Sequence, residues 1–372
     1  MTPKADPCDG CSSVQPTRIT TTTARESQSS LALRLAFAYV AIFFWMGAYL
    51  PYWPVWLASQ GMSPSEVGVL LGVAPWTRVI SSPIAGRWAD RHGRADRLAT
   101  ALCLAWVVAM ASFALASDFT GLLLIMIAVG LVHAPLVPLV DGLTIAAEAE
   151  GHLRYGPVRL WGSASFIAAS WVGGELLELR GEAVVLWILV GAAAVSAVGS
   201  ALLPARIGGP IAASSSEGPR AVPAPEAQPE IPPFSAKAWP FVGFLVVTAL
   251  LHAGHAVLYA FGTQHWRAHG LDASTAGLLW AESVLAEIVL FAYAARVDRW
   301  LTPRSLWLLA GGTAAVRWAV LASTVALPWL VLTQALHAFT YGALHLGAMA
   351  YIRQRVPASA RARATTLYSA AA

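Results

Sequence analysis

Charge is scarce in this chain of 372 residues. Asp, Glu, Lys and Arg make up 12% of it, against about 25% in an ordinary soluble domain. A soluble globule of this length needs more charge to coat its surface. Cysteine is rarer still: Cys8, Cys11 and Cys103 are the only three, too few for a disulfide framework. No phosphate loop and no dinucleotide fingerprint is present, so neither ATP-driven work nor a nucleotide cofactor is implied. The first 30 residues lack the apolar core and small-residue cleavage site of a signal peptide. What is abundant is apolar: 57% of the chain is hydrophobic, with 16 tryptophans and a mean hydropathy of +0.60. The class left is an all-α membrane protein that crosses the bilayer several times.

A bilayer core of ~30 Å needs about 20 apolar residues of helix. That window predicts ten spans, near 33–57, 65–85, 98–116, 119–146, 157–178, 183–203, 239–262, 274–297, 304–324 and 327–352. Residues 1–30, with threonine at each of positions 20 to 23, read as a disordered cytoplasmic tail. Residues 204–238 hold Pro204, Pro210, Pro219, Pro223, Pro225, Pro229, Pro232 and Pro233 and read as a linker. The expected domains are a six-helix bundle over 31–203 and a second bundle over 239–372. With the N-terminus placed inside, twenty of the 24 Lys and Arg residues fall in cytoplasmic segments. The outer loops keep only Arg180 and Arg267, and Arg78 and Arg317 lie within spans. That asymmetry is the positive-inside pattern, and it sets the expected orientation.

Six spans, a long inner linker and further spans match two half-transporters around a midplane site. The loop after the second span reads GRWADRHGR (86–94). Its Gly86, Asp90, Arg91, Gly93 and Arg94 resemble the G-x-x-x-D-R-x-G-R signature of the major facilitator superfamily, at the position where that family carries it. Gly86 is expected to let helices approach closely, Asp90 to pair across an inner gate, and Gly93 to permit a tight turn. The plain alternative is a basic loop obeying the charge rule. The strings APLVPLVDGL (134–143), YGPVRLWGS (155–163), GHAVLYAF (254–261), AEIVLFA (286–292), VRWAV (316–320) and LHAFTYGALH (336–345) resemble the phenylpropionate permease branch of that superfamily. The branch is similar to proton symporters for oligosaccharides and nucleosides. The resemblance implies twelve helices, a small organic solute and protons as the partners, a bacterial inner membrane, a monomer, and no nucleic acid. The chain ends in ARATTLYSAAA, which reads as the opening of an eleventh helix, so the second half is expected to be truncated to about four helices.

Ionisable groups inside spans cost several kcal/mol, about 2.5–3.5 on insertion scales, and so mark function or a buried pair. Glu287, in the eighth span, is the candidate proton carrier, and its alternative role is an ion pair with Arg317 of the ninth. Glu282 lies on a different helix face. Arg78 is a candidate to hold a solute carboxylate, or else to pair with Asp141 or Glu66. His337, Tyr341 and His345 recur at every fourth residue of the tenth span, and His255 and Tyr259 do so on the seventh with His252 a turn earlier, as a proton relay would require. The alternative for each histidine is hydrogen-bonded packing, which is the reading preferred for His133. Acid, arginine and histidine on successive helices resemble the proton-coupling set of the lactose permease family, except that the tenth span has no carboxylate. Asp141 follows Pro135 and Pro138, either near a broken-helix site or as an inner-face cap. Tyr49, Tyr52, Trp53, Trp56 and Trp280 read as belts, packing or an aromatic lining. Cys8 and Cys11 form a C-x-x-C without two further ligands. His252/His255 and His337/His345 lack the H-E-x-x-H arrangement of an intramembrane metalloenzyme. Neither metal nor cofactor is expected.

Overall fold

A computed structural model describes residues 19–203, 239–357 and 361–371. The Pro-rich segment 204–238 and the Cys8–Cys11 pair lie outside the described residues. All regular structure among the described residues is helical. The first half comprises α1 (Ile19–Ser59), α2 (Pro64–His92), α3 (Ala95–Ser112), α4 (Phe119–His133), α5 (Leu136–Ala149), α6 (Tyr155–Arg180) and α7 (Ala183–Ala201). The second comprises α8 (Trp239–Ala268), α9 (Ala273–Ala292), α10 (Ala294–Trp300), α11 (Pro303–Ser323), α12 (Leu327–Ala335), a π-helical turn (Ala338–Ala343), α13 (Leu344–Arg355) and α14 (Arg361–Ala371).

Local chemistry sets the helix ends. Ser63 and Glu66 form a reciprocal capping box at the start of α2: the Glu66 carboxylate accepts from Ser63 N at 2.8 Å. Asp118, Asp272 and Thr302 cap α4, α9 and α11 through side-chain oxygens. Gly93 ends α2 at φ +60, a left-handed conformation that costs glycine little, as the motif predicts. α4 and α5 are one span interrupted at Ala134–Pro135. Pro135 and Pro138 lack the N–H groups that would bond Leu131 and Ala134, so the ladder breaks there.

Eight helices among the described residues are long and apolar enough to cross a membrane. The two expected spans outside that set are α6 and the segment from α12 to α13. α6 has the length, but its serines and glycines face other helices. Ser165 and Ser170 donate to the carbonyls of Val40 and Gly47 on α1, and Gly174 meets Ala273 of α9. Small, weakly polar residues at such contacts lower hydropathy without removing the helix from the bilayer. The tenth span is divided by its π-helical turn. α1 begins at Ile19 and so carries the helix beyond its apolar stretch.

The first half has one continuous core around α1, with Leu35, Tyr39, Trp53, Trp106 and Leu189 fully buried. The second half has two smaller clusters. One gathers Phe244, Ala348, Ile352 and Tyr368, the other Leu258, Trp266, Trp280 and Leu330. Along α8, Phe244 belongs to one cluster and Leu258 to the other, and buried His252 and His255 lie between them. The middle of the second half is therefore polar.

The halves are bonded to each other at one end. The Tyr52 hydroxyl of α1 bonds the Ser170 carbonyl and lies 3.3 Å from the Ala273 carbonyl of α9. Glu178 accepts from the Ala273 amide, Gln264 donates to the Pro54 carbonyl, and Arg267 pairs with Glu182 at 3.3 Å. α6 and α9 touch backbone to backbone there, at Gly174 and Gly277.

Candidate functional site

Arg317 is the centre of the polar middle. It is 0% exposed, and its guanidinium also lies 4.9 Å from the Trp318 ring centroid. Its NH1 donates to His337 Nδ1 at 3.1 Å and to Thr340 Oγ1 at 3.0 Å, and its NH2 donates to Gln334 Oε1 at 3.1 Å. Thr340 Oγ1 stands 3.1 Å from His255 Nε2. An arginine can only donate, so His337 Nδ1 must offer a lone pair. In neutral His337 the proton therefore sits on Nε2, and Nε2 faces Glu287 Oε2 at 3.8 Å.

This corrects the expected Glu287–Arg317 pair. No carboxylate contacts Arg317 among the described residues; His337 stands between the two charges. The π-helical turn makes this possible. It places Thr340 beside His337 on the Arg317 side, and such turns recur at functional positions in membrane helices and elsewhere. The same turn breaks the expected common face of His337, Tyr341 and His345. Tyr341 still stacks on His337, with centroids 5.3 Å apart, whereas His345 Nδ1 bonds the Tyr368 hydroxyl of α14 at 3.0 Å. His255 lies 5.4 Å from His337 and 5.9 Å from Tyr259 between ring centroids, so these three expected residues do come together. His252 bonds the Thr248 carbonyl and packs edge-on against Tyr341.

In the first half, Asp141 Oδ1 accepts from the Tyr39 hydroxyl at 2.6 Å and the Tyr155 hydroxyl at 3.0 Å. It ties α1, α5 and α6 together and is not a partner of Arg78. Glu66 is likewise taken by Ser63. Arg78 is exposed and has no bonded partner among the described residues, yet it is near enough to act electrostatically on both His133 of its own half and Tyr341 of the other. Its helix, α2, packs against α4 of its own half and meets α8 and α14 of the other. Arg159, counted as a loop residue from sequence, lies inside α6 with its guanidinium 3.9 Å from the Phe43 ring centroid, and its charge reaches Glu287.

The expected gate residues divide. Gly93 makes its turn, and Arg94 pairs with Asp96 at 2.9 Å, not with Asp90. That pair holds the Arg94 guanidinium above its ordinary pKa. Asp90 and Arg91 are exposed. Gly86 has open space where a side chain would stand, so the expected close helix approach is absent at this position. The close backbone approaches between the halves lie at the opposite ends of the helices, at Gly174 and Gly277. Among the described residues no group of three or more His, Cys, Asp or Glu could hold a metal ion.

Sequence reasoning missed Thr340, Gln334, Tyr39, Tyr155 and Arg159. A buried arginine needs several acceptors, and Gln334 and Thr340, each three residues from His337, were the available ones.

Residues 32–372 match the MFS_1 like family. The chain belongs to that family. It is thus a multi-pass membrane transporter of the major facilitator superfamily and not an enzyme. A relative described as a probable 3-phenylpropionic acid transporter, from Escherichia coli (strain K12), is 34% identical over 91% of this chain and 86% of its own. The maltose permease of Geobacillus stearothermophilus is 24% identical over 89% of this chain and 81% of its own. Among solved structures, the nucleoside transporter NupG superposes with a TM-score of 0.73 at 15% identity, covering 92% of this chain and 87% of its own. A D-xylose-proton symporter gives 0.62 at 16% identity, over 92% and 86%. At these identities the two structures establish that this family member has the major facilitator fold.

Proposed function

We propose that the protein is a proton-coupled symporter that carries a small aromatic carboxylate, of the phenylpropionate kind, across a bacterial inner membrane. One observation carries this reading: Glu287, in an apolar span, faces the Nε2–H of a histidine whose tautomer is fixed by Arg317. A carboxylate so placed can take up a proton when the cavity opens to one side and release it when it opens to the other. Arg78, exposed and unbonded among the described residues, supplies the countercharge for a solute carboxylate. The aromatic acid named for the 34% identical relative supports the same choice.

In this reading the chain works as a monomer, with its N-terminus cytoplasmic as the arginine distribution implies. The bundles 31–203 and 239–372 rock against each other, and the bonded end is the outer gate. Residues Gly86, Asp90, Arg91, Gly93 and Arg94 then line the inner gate, open in this conformation.

A sugar or nucleoside symporter is the second reading. The maltose permease among the relatives favours it, and the Glu287 cluster would serve it equally. The two differ at Arg78, which a neutral solute does not need. Proteoliposomes preloaded with 3-phenylpropionate and assayed by counterflow separate them. Competition by other aromatic acids and not by maltose or nucleosides is the expected result, and the reverse pattern overturns the aromatic-acid reading. Uptake that ignores an imposed pH gradient overturns the proton coupling.

A further inference from the structure

The first half holds a polar feature that the coupling cluster does not use. His133 ends α4 where the fourth span is interrupted. Its ring centroid lies 4.5 Å from that of Trp45 and 4.7 Å from that of Trp106, and the two indoles meet edge-on at 4.9 Å. Trp45 and Trp106 are 2% and 0% exposed. Yet Trp45 Nε1, Trp106 Nε1 and His133 Nε2 are all buried with no hydrogen-bond partner among the described residues. A buried donor left unpaired loses its water and gains nothing, and such groups are few in native proteins. Two indole N–H donors and one imidazole nitrogen in one box thus have no partner among the described residues.

The box reaches the space between the halves. His133 is only partly buried. Arg78 acts on it electrostatically, and the same guanidinium reaches Tyr341 in the second half. Thr77, next to Arg78, packs against Gly130 of α4, which brings α2 and α4 together one turn before His133. On the other side, Tyr49 stacks on Trp45 with centroids 4.2 Å apart and planes inclined by 16°, and it too is only partly buried. Tyr49 also stacks on Trp53, with centroids 5.9 Å apart, so a cation, an unpaired ring nitrogen and the partly exposed edge of an aromatic stack lie together.

We propose that His133 determines solute specificity: its Nε2–H and the Arg78 guanidinium hold the solute carboxylate, and the solute ring rests against the Tyr49–Trp45 stack. This deepens the aromatic-acid reading above and rests on it. Arg78 supplies charge, and His133 supplies one directed donor that a carboxylate oxygen satisfies and an alcohol satisfies less well. The solute anion then binds to the first half and the proton to Glu287 in the second, so that loading both draws the halves together.

The test is fluorescence titration of the purified full chain in nanodiscs with 3-phenylpropionate, 3-phenylpropanol and maltose. Wild type, His133→Phe and His133→Gln are compared. His133→Phe is expected to weaken the acid about tenfold, the loss of a hydrogen bond to a charged group, and to leave the alcohol unchanged. His133→Gln, which keeps an N–H near the Nε2 position, is expected to stay within about threefold of wild type. The ratio of acid to alcohol affinity is the readout, because it does not depend on the folded fraction. His133→Met provides the same ratio should the Phe variant not fold. An unchanged ratio in the donor-free variant overturns the His133 assignment while the aromatic-acid reading stands. Wild-type protein that binds maltose and not the acid overturns both.

Discussion

Glu287 and Arg317 lie in the same polar layer without touching, and His337 joins them. Its Nδ1 takes the Arg317 guanidinium at 3.1 Å and its Nε2 faces the Glu287 carboxylate at 3.8 Å. The two terminal guanidinium nitrogens are thereby met by neutral acceptors, while the buried Arg317 Nε has no partner among the described residues, and the acid keeps freedom to change its protonation. A direct ion pair would have held Glu287 ionised. The arrangement allows a mobile proton beside a fixed charge.

Glu287→Gln removes the titrating group and keeps the shape. Uptake driven by a pH gradient is expected to disappear, while solute exchange across the same proteoliposomes at equal pH continues. Gradient-driven uptake at the wild-type rate would assign the proton to another group.

His337→Phe leaves the buried Arg317 NH1 with Thr340 as its remaining acceptor. Hydrogen bonds to charged groups contribute about 1.5–3 kcal/mol, so the variant is expected to lose stability of that order. Thermal unfolding in detergent measures it. His337→Asn offers a carbonyl oxygen near the Nδ1 position and is expected to recover about half the loss.

The fold was legible because the bilayer imposes its period on the sequence: runs of apolar residues, prolines at 135 and 138, and arginines gathered in the loops on one side. α6 was legible as a span despite its modest hydropathy, since its neighbours fixed the alternation. The charged residues of the site were also legible, because Glu287, Arg317 and Arg78 are expensive in lipid. Their partners were not. Helical spacing assumes 3.6 residues per turn, and the π-helical turn at Ala338–Ala343 alters which side chains meet, separating His345 from His337. Gly86 shows the same limit from another side. A small residue in a signature loop suggests close packing, but where packing occurs depends on which end of the two bundles is shut.

Asp272 caps α9, the helix that carries Glu287, by accepting from the Thr275 amide at 2.6 Å. Asp272→Ala is expected to cost about 1 kcal/mol, seen as a lower melting temperature. That amide bond, with the Ser274 hydroxyl, holds the Asp272 carboxyl below its ordinary pKa. The folded value lies below the unfolded one, so the cap's contribution is complete above the unfolded value and lost as pH falls through the folded value. The difference between wild type and Asp272→Ala is therefore expected to be constant near neutrality and to shrink only in strong acid.

Gly277 is where the two halves meet most closely. A methyl group there would run into the Ser170 carbonyl oxygen and the Tyr52 hydroxyl, both of which belong to the opposite half. Backbone oxygen has nowhere to retreat within α6, and Tyr52 is 1% exposed. Gly277→Ala therefore disfavours the conformation in which this end is shut, while the helix itself gains from alanine's higher propensity. The expected outcome is a shift of population toward a conformation open at this end, with little change in melting temperature. Leu50, which packs across the halves against the cluster of Leu258, Trp266 and Trp280, is a suitable reporter. In protein with Cys8 and Cys11 replaced by serine, a cysteine at position 50 should react faster with an impermeant maleimide added from outside when Gly277 is alanine. Cys103 is 0% exposed and contributes no background. Equal labelling in both backgrounds would mean that the halves close without the Gly277–Ser170 contact, and that the Glu178–Ala273 and Glu182–Arg267 links are sufficient to shut this end.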